Sequence, residues 1–333
     1  MQGESVSARI FCCHSLADVV KLRTVYDNFG DFLPLGMIEM GTDKMRRARW
    51  MLVASMVIFG TLGPFVRNIG VASGELALYR AILAALLIGG YLLVTGQRPE
   101  LAKCRHEIPL LLLSGMAMGI NWVLLFEAYK YTTVSVATLS YYFAPVIVTA
   151  VCPFLFRERL TAAQLVCFVM STLGLVLVIG VGDLGGGSSD LKGICFGLGA
   201  AVFYATVMLL NKFIRNVDGI NRTFLQFLAA VIILVPYVAL TGGITLGVLD
   251  GIGWVCLLIV GLFHTGVTYC LYFSSLKELP GQKAAILSYI DPLVAVIVSV
   301  CVLGEPLTAG QAIGGLMILG FTLWNEIAPK KAA

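Results

Sequence analysis

At 333 residues, 59% hydrophobic and only 13% charged, the chain is too apolar for an ordinary water-soluble globule. Its net charge of +4 is small, and its Lys and Arg fall in short clusters between apolar runs, which excludes a nucleic-acid-binding face. Nine cysteines are scattered without a metal-ligand or C-x-x-C spacing, so no disulfide framework, metal site or cofactor is expected.

Residues 1–44 contain neither a spanning length of apolar residues nor a signal-peptide core; they are expected to form an unstructured cytoplasmic tail or to precede a start at the basic "MRRARW" of 45–50, and "CCH" at 12–14 reads as incidental. A spanning helix needs about 20 mostly apolar residues. Ten such runs follow, at 48–67, 75–95, 108–128, 132–156, 161–181, 192–213, 221–241, 251–275, 282–303 and 308–327. The expectation is an all-α polytopic membrane protein with short loops, the longest being the Gly/Ser link "GDLGGGSSD" at 182–190. Lys and Arg stay on the cytoplasmic side, and sixteen of them (from Lys44 to Lys331) fall on one side of the alternation against Arg67, Lys130 and Lys192 on the other. Both termini are therefore expected in the cytoplasm.

Shifted by 147 residues, 119–164 aligns with 266–311 without a gap and with thirteen identities, among them Phe126/Phe273, Tyr142/Tyr289, Pro145/Pro292 and Glu158/Glu305. Each copy holds five predicted spans, and because five is odd the second copy enters the membrane from the opposite side, as in secondary transporters. The expected division is a first repeat at 45–181, a linker at 182–191, a second repeat at 192–328 and a short cytoplasmic tail at 329–333. "ERLTAAQ" (158–164) and "EPLTAGQ" (305–311) read as capping boxes, Thr161 with Gln164 and Thr308 with Gln311, opening the fifth and tenth spans.

Two five-helix units, each with a Pro-bearing fourth span followed by Glu-x-Leu-Thr-x-x-Gln, resemble the EamA-type transporters of the drug/metabolite transporter superfamily. The resemblance covers about residues 46–328 and implies ten helices as two inverted repeats with a cavity between the halves. It implies no particular substrate.

Against this background the ninth span is unusual. Asp291 and Pro292 interrupt "SYIDPLVAVIVSV" near mid-depth, where a charge costs about 2.5–3.5 kcal/mol on insertion scales and so faces a cavity or a partner. The first repeat has Ala144-Pro145 at the matching place, so the kink at Pro145 and Pro292 reads as architecture and Asp291 as chemistry. The bland alternative is a bond from Asp291 to a neighbouring helix. His264, in the eighth span, is the expected partner of Asp291 in a proton relay, or else a satisfied core histidine. Arg80 reads either as a residue snorkelling outward or pairing with Glu75, or as a carboxylate anchor. Glu127 and Lys130 read as a local pair. Asn121, Trp122, Tyr142, Tyr269 and Tyr289 complete the candidate substrate-binding set, with Tyr142 and Tyr289 expected to face each other across the pseudo-twofold axis. Aromatic walls with few polar groups suit a small amphipathic solute such as an amino acid.

"GVGD" at 180–183 resembles an intramembrane aspartyl protease motif, but Asp183 falls at the water boundary without a second acid at its depth, so no enzyme is expected. The preferred reading is a secondary carrier, monomeric, in a bacterial-type cytoplasmic membrane, with a small-molecule substrate, the lipid bilayer and protons as partners. An intramembrane enzyme and a channel are the competing readings; no ring of like charges or filter-like run marks a pore.

Overall fold

The computed structural model describes residues 43–96, 105–156, 162–179, 189–214, 216–217, 219–276, 278–279, 284 and 287–327. Every regular element among these residues is helical. The first predicted span becomes α1 (Asp43–Gly60) and α2 (Leu62–Arg67), the second α3 (Ser73–Val94) and the third α4 (Ile108–Tyr131), entered through a 3-10 turn at Arg105–Glu107. The fourth divides into α5 (Val134–Tyr141) and α6 (Ala144–Phe156), and the fifth is α7 (Ala162–Ile179). In the second half come α8 (Ser189–Phe213) and α9 (Gly219–Thr241). A composite eighth span follows: α10 (Gly251–Leu258), a π-helical stretch (Ile259–Val267) and α11 (Thr268–Leu276). The chain ends in α12 (Ile290–Cys301) and α13 (Ala309–Ile327).

Among the described residues, seven helical stretches are long and apolar enough to cross a membrane, against the ten predicted. The difference lies at the fifth and ninth spans, represented by the shorter apolar helices Ala162–Val178 and Ile290–Cys301, and at the tenth. Large apolar side chains such as Leu86, Leu93, Leu240 and Leu316 are exposed on the outside of the bundle, as a lipid-facing surface requires. The 1–42 tail, the 182–188 link, Asp183, Glu158 and Thr161 lie outside the described residues.

The breaks have chemical causes. Proline lacks an N–H and its ring clashes with the carbonyl four residues back. Before Pro145 the chain tightens: Tyr142 N–H donates to Thr138 O at 2.9 Å and Phe143 N–H to Ser140 O at 3.2 Å. Tyr142 takes φ −72°, ψ 6°, and Tyr289, the repeat-related residue before Pro292, takes φ −72°, ψ −7°. In the first span, Thr61 separates α1 from α2, three residues before Pro64. Gly60 lets α1 approach the Asp291 backbone; a Cβ there would stand 2.6 Å from Asp291 O. In the π stretch, Thr265 donates to Val260 O and Thr268 to Phe263 O, both at 2.8 Å and both to a carbonyl five residues back. Such bulges concentrate at functional sites.

The packing is symmetric under exchange of the two halves. Contact of α1 with α11 has its counterpart in α8 with α4; α3 meets the π stretch as α9 meets α4; and α12 meets α1 as α5 and α6 meet α8. Three pairs of repeat-related helices also pack on each other, and all three run antiparallel. Gly74 and Gly89 of α3 lie beside Tyr237 and Phe224 of α9. Gly174 of α7 lies beside Gly314 of α13, while Leu177 lies beside Gly310. Ser135 N–H of α5 donates to Ser299 of α12 at 3.2 Å, and Tyr142 reaches Asp291. Antiparallel packing of each element on its own repeat mate is what a twofold axis across the helices produces, and it inverts one copy relative to the other.

Candidate substrate site

Arg80 lies in the third turn of α3 with only 3% of its surface exposed. Its Nε–H donates to Thr265 Oγ1 at 2.6 Å, and the Thr265 hydroxyl in turn donates to Val260 O, so the π stretch holds the guanidinium from one side. Trp122 of α4 lies against it, ring centroid 4.4 Å from Cζ, with Phe126 at 5.5 Å. Cation–π contacts of this kind contribute up to about 2 kcal/mol when desolvated. Among the described residues, the two terminal –NH2 groups of Arg80 make no hydrogen bond and no ion pair.

Asp291 sits in the first turn of α12, where the positive end of the helix favours an anion. The Tyr142 hydroxyl donates to its Oδ2, across from the other repeat. Arg80 lies within electrostatic range of Asp291 without touching it. A guanidinium with unspent terminal donors and a carboxylate are groups that can each take an opposite charge in a hydrogen-bonded contact.

Around them runs an aromatic wall drawn from both halves. Trp122 packs on Phe227 (5.4 Å), Phe227 edge-on to Tyr269 (5.3 Å), and Tyr269 on Phe59 (5.1 Å) and Phe273 (5.9 Å). On the Asp291 side Tyr141 stacks on Tyr204 at 5.0 Å.

The EamA-like transporter family matches residues 46–180 and again 191–325. The chain belongs to this family. A transporter named YxxF from Bacillus subtilis (strain 168), described as uncharacterized, is 33% identical over 272 residues, covering 80% of this chain and 85% of its own. An uncharacterized transporter of Archaeoglobus fulgidus is 30% identical over 286 residues, covering 85% of this chain and 98% of its own. A solved crystal structure superimposes with a TM-score of 0.60 at 17% identity, over 83% of this chain and 95% of its own, which speaks to the fold alone. The EamA-like chain is thus an integral membrane protein with the two-repeat architecture, a small-molecule substrate and a bilayer around it. Its relatives are named as transporters rather than enzymes.

Several sequence expectations for this EamA-like transporter need correction. His264 does not pair with Asp291: it is buried, with Nε2 3.1 Å from Thr61 Oγ1, Nδ1 3.4 Å from Ile259 O and its ring against Phe65 at 4.8 Å. Its ring therefore meets the first span. Arg80 neither snorkels nor pairs with Glu75. Glu75 instead accepts Thr245 N–H at 2.7 Å, the Thr245 hydroxyl at 2.5 Å and the Tyr79 hydroxyl at 3.1 Å, fastening the 242–250 loop. Tyr142 turns its hydroxyl to Asp291 rather than to Tyr289, although both tyrosines rest on one apolar cluster with Leu139 and Ile318.

Asn121 also points away from the centre, its side-chain N–H donating to Ala200 O at 2.6 Å and so tying α4 to α8. Glu127 and Lys130 are 3.3 Å apart, and Glu127 also accepts the Ser73 hydroxyl at 2.6 Å. Thr308 and Gln311 exchange hydrogen bonds at 3.0 and 3.2 Å at the start of α13. Gln164 lies in the first turns of α7.

Sequence reasoning missed Thr61, Thr265 and the ion pair of Arg67 with Glu305, 2.5 Å apart. "GTLGP" at 60–64 does carry a signal of a broken first span. Thr265 leaves none, because nothing in a hydropathy pattern announces a π bulge.

Proposed function

We propose that this EamA-like transporter is a secondary active carrier of a small zwitterionic metabolite, an amino acid or related solute. In this reading Arg80 takes the carboxylate through its two free –NH2 groups in a bidentate contact, and Asp291 with Tyr142 takes the ammonium. The observation that carries it is the buried guanidinium of Arg80, held by Thr265 and Trp122 with its terminal donors unspent. A buried unpaired charge is costly. Arg80 and Asp291 compensate one another in formal charge when the site is empty, and a zwitterion preserves that balance when it is filled.

A proton on Asp291 competes with the ammonium for the same carboxylate, which gives proton coupling a place without His264 in direct contact. Alternation is the rocking of two antiparallel five-span halves around this site. The sixteen-to-three split of basic residues supports both termini in the cytoplasm of a bacterial-type cytoplasmic membrane, and two halves that close one site within one chain support a monomer.

A thermal-shift panel tests the reading, since ligands of the folded state raise apparent stability. Zwitterions should stabilise the wild type more than the corresponding esters or decarboxylated amines, and Arg80→Gln should lose that discrimination. Identical responses of the two proteins across the panel would sink it.

A further inference from the structure

The Arg67 end of the bundle holds a cavity of about 270 Å³, lined by Val66, Arg67, Val71, Ser73, Phe126 and Lys130 among others. Arg67 and Lys130 stand at its rim, 37% and 47% exposed, so it opens to solvent. Both rim cations are compensated, by Glu305 at 2.5 Å and Glu127 at 3.3 Å. The rim thus offers donors and acceptors without a net charge that would repel either end of a zwitterion. The volume falls just below the ~300 Å³ at which pockets for drug-sized ligands begin, which suits a small solute.

One lining side chain also reaches the Arg80 guanidinium. Phe126 lines the cavity, is 1% exposed, and has its ring centroid 5.5 Å from the Arg80 Cζ. Tyr129, also in the lining, lies within electrostatic range of Arg80 and Asp291. Arg80 itself does not border the cavity. Glu305 also accepts Val134 N–H at 2.7 Å and the Ser299 hydroxyl, while Arg67 donates to Thr132 O at 2.8 Å. One ion pair therefore ties α2, the start of α5 and the end of α12 together beside the cavity.

We infer that this cavity is a second binding site for the same zwitterionic solute, an antechamber to Arg80, with Phe126 and Tyr129 as the aromatic partition that parts when the Arg67–Glu305 pair separates. This rests on the carrier reading above. Phe273, the repeat mate of Phe126, packs on Tyr269 and Tyr272 and gives the opposite end of the site an equivalent ring.

Cysteine accessibility tests it. Val71→Cys reports on the cavity and Thr265→Cys on the space beyond the partition, each read by site-resolved mass spectrometry. A membrane-impermeant thiosulfonate is applied to intact cells and, separately, to inside-out vesicles. Val71→Cys should react from one side only, and a mixture of the common amino acids should slow that reaction even in the Arg80→Gln background. From that side, Thr265→Cys should react at least tenfold faster once Phe126→Ala is added; Phe126→Leu serves if the alanine variant does not yield monodisperse protein. No acceleration, or no protection by the mixture, overturns the inference. Labelling requires no transport, so it fails independently of the thermal-shift comparison that tests the carrier reading.

Discussion

In the first repeat the chain bends at Tyr142 and resumes as a helix with Ala144-Pro145; in the second it bends at Tyr289 and resumes with Ile290, Asp291 and Pro292. The backbone angles at the two bends agree within 13° in ψ. Their side-chain chemistry does not. Ala144 is fully buried among Ala201 and Ala205, whereas Asp291 accepts the Tyr142 hydroxyl and shares electrostatic range with Arg80. The prolines thus set a bend common to both copies, and one copy adds the charge. On the proposed carrier reading, a symmetric frame carrying an asymmetric site would let the two halves rock alike while the solute binds in one orientation.

Arg80 is the sharpest test of that asymmetry. Removing one partner of a buried charged contact costs about 2–5 kcal/mol, so Arg80→Gln should lower solute affinity roughly 30-fold to a few thousand-fold with the protein still folded. Arg80→Lys should recover little, because a lysine cannot reproduce the planar fork. Isothermal titration or thermal shift against the best zwitterion measures both. Wild-type affinity in Arg80→Gln would return the site to the aromatic wall alone.

Moving the acid breaks the comparison directly. If the two bends were interchangeable, Ala144→Asp combined with Asp291→Ala would rescue the loss caused by Asp291→Ala. The expected outcome is no rescue: a carboxylate at 144 enters a cluster of Ala201, Ala205 and Ile147. An unpaired charge there also lowers expression or thermal stability. Asp291→Asn, nearly isosteric, should keep the fold and abolish the dependence of uptake on a pH gradient in proteoliposomes.

How far the sequence reached follows the same division. Hydropathy and the 147-residue repeat made the frame legible: helices, the two halves and the shared bends all follow from apolar run length and from proline. Asp291 was legible because a charge amid "SYIDPLVAVIVSV" violates the pattern. The partners were not. His264 and Thr265 are adjacent in the chain, yet a π stretch of nine residues rotates one toward Thr61 and the other onto Arg80. Arg80 lies close enough to a span end to look interfacial, and only the packing of Trp122 and Thr265 around it shows that it turns inward.

Between the two tyrosines the expected effect is smaller. Tyr142→Phe deletes a hydrogen bond to a charged group, about 1.5–3 kcal/mol, and should weaken binding roughly tenfold or more. Tyr289→Phe, which keeps the ring packed on the Leu139 and Ile318 cluster, should change affinity less than Tyr142→Phe under the same assay. Equal losses would make the bends functionally equivalent and remove the asymmetry.

The smallest effect on transport is expected at Asn121, and its value lies in the contrast with its neighbour Trp122. Consecutive residues on α4 face different ways: Trp122 lies against Arg80, and Asn121 donates to Ala200 O across the junction of the two halves. Asn121→Ala removes a second donor from a carbonyl that keeps its bond within α8, at a cost of about 0.5–1.5 kcal/mol for an ordinary hydrogen bond. Melting temperature should therefore fall while solute affinity stays within about twofold of wild type. Trp122→Leu should do the reverse, keeping an apolar side chain in the core while withdrawing the aromatic face from the guanidinium, so that affinity falls by more than stability does. If both substitutions moved affinity alike, α4 would present one functional face rather than dividing its polar groups between assembly and binding.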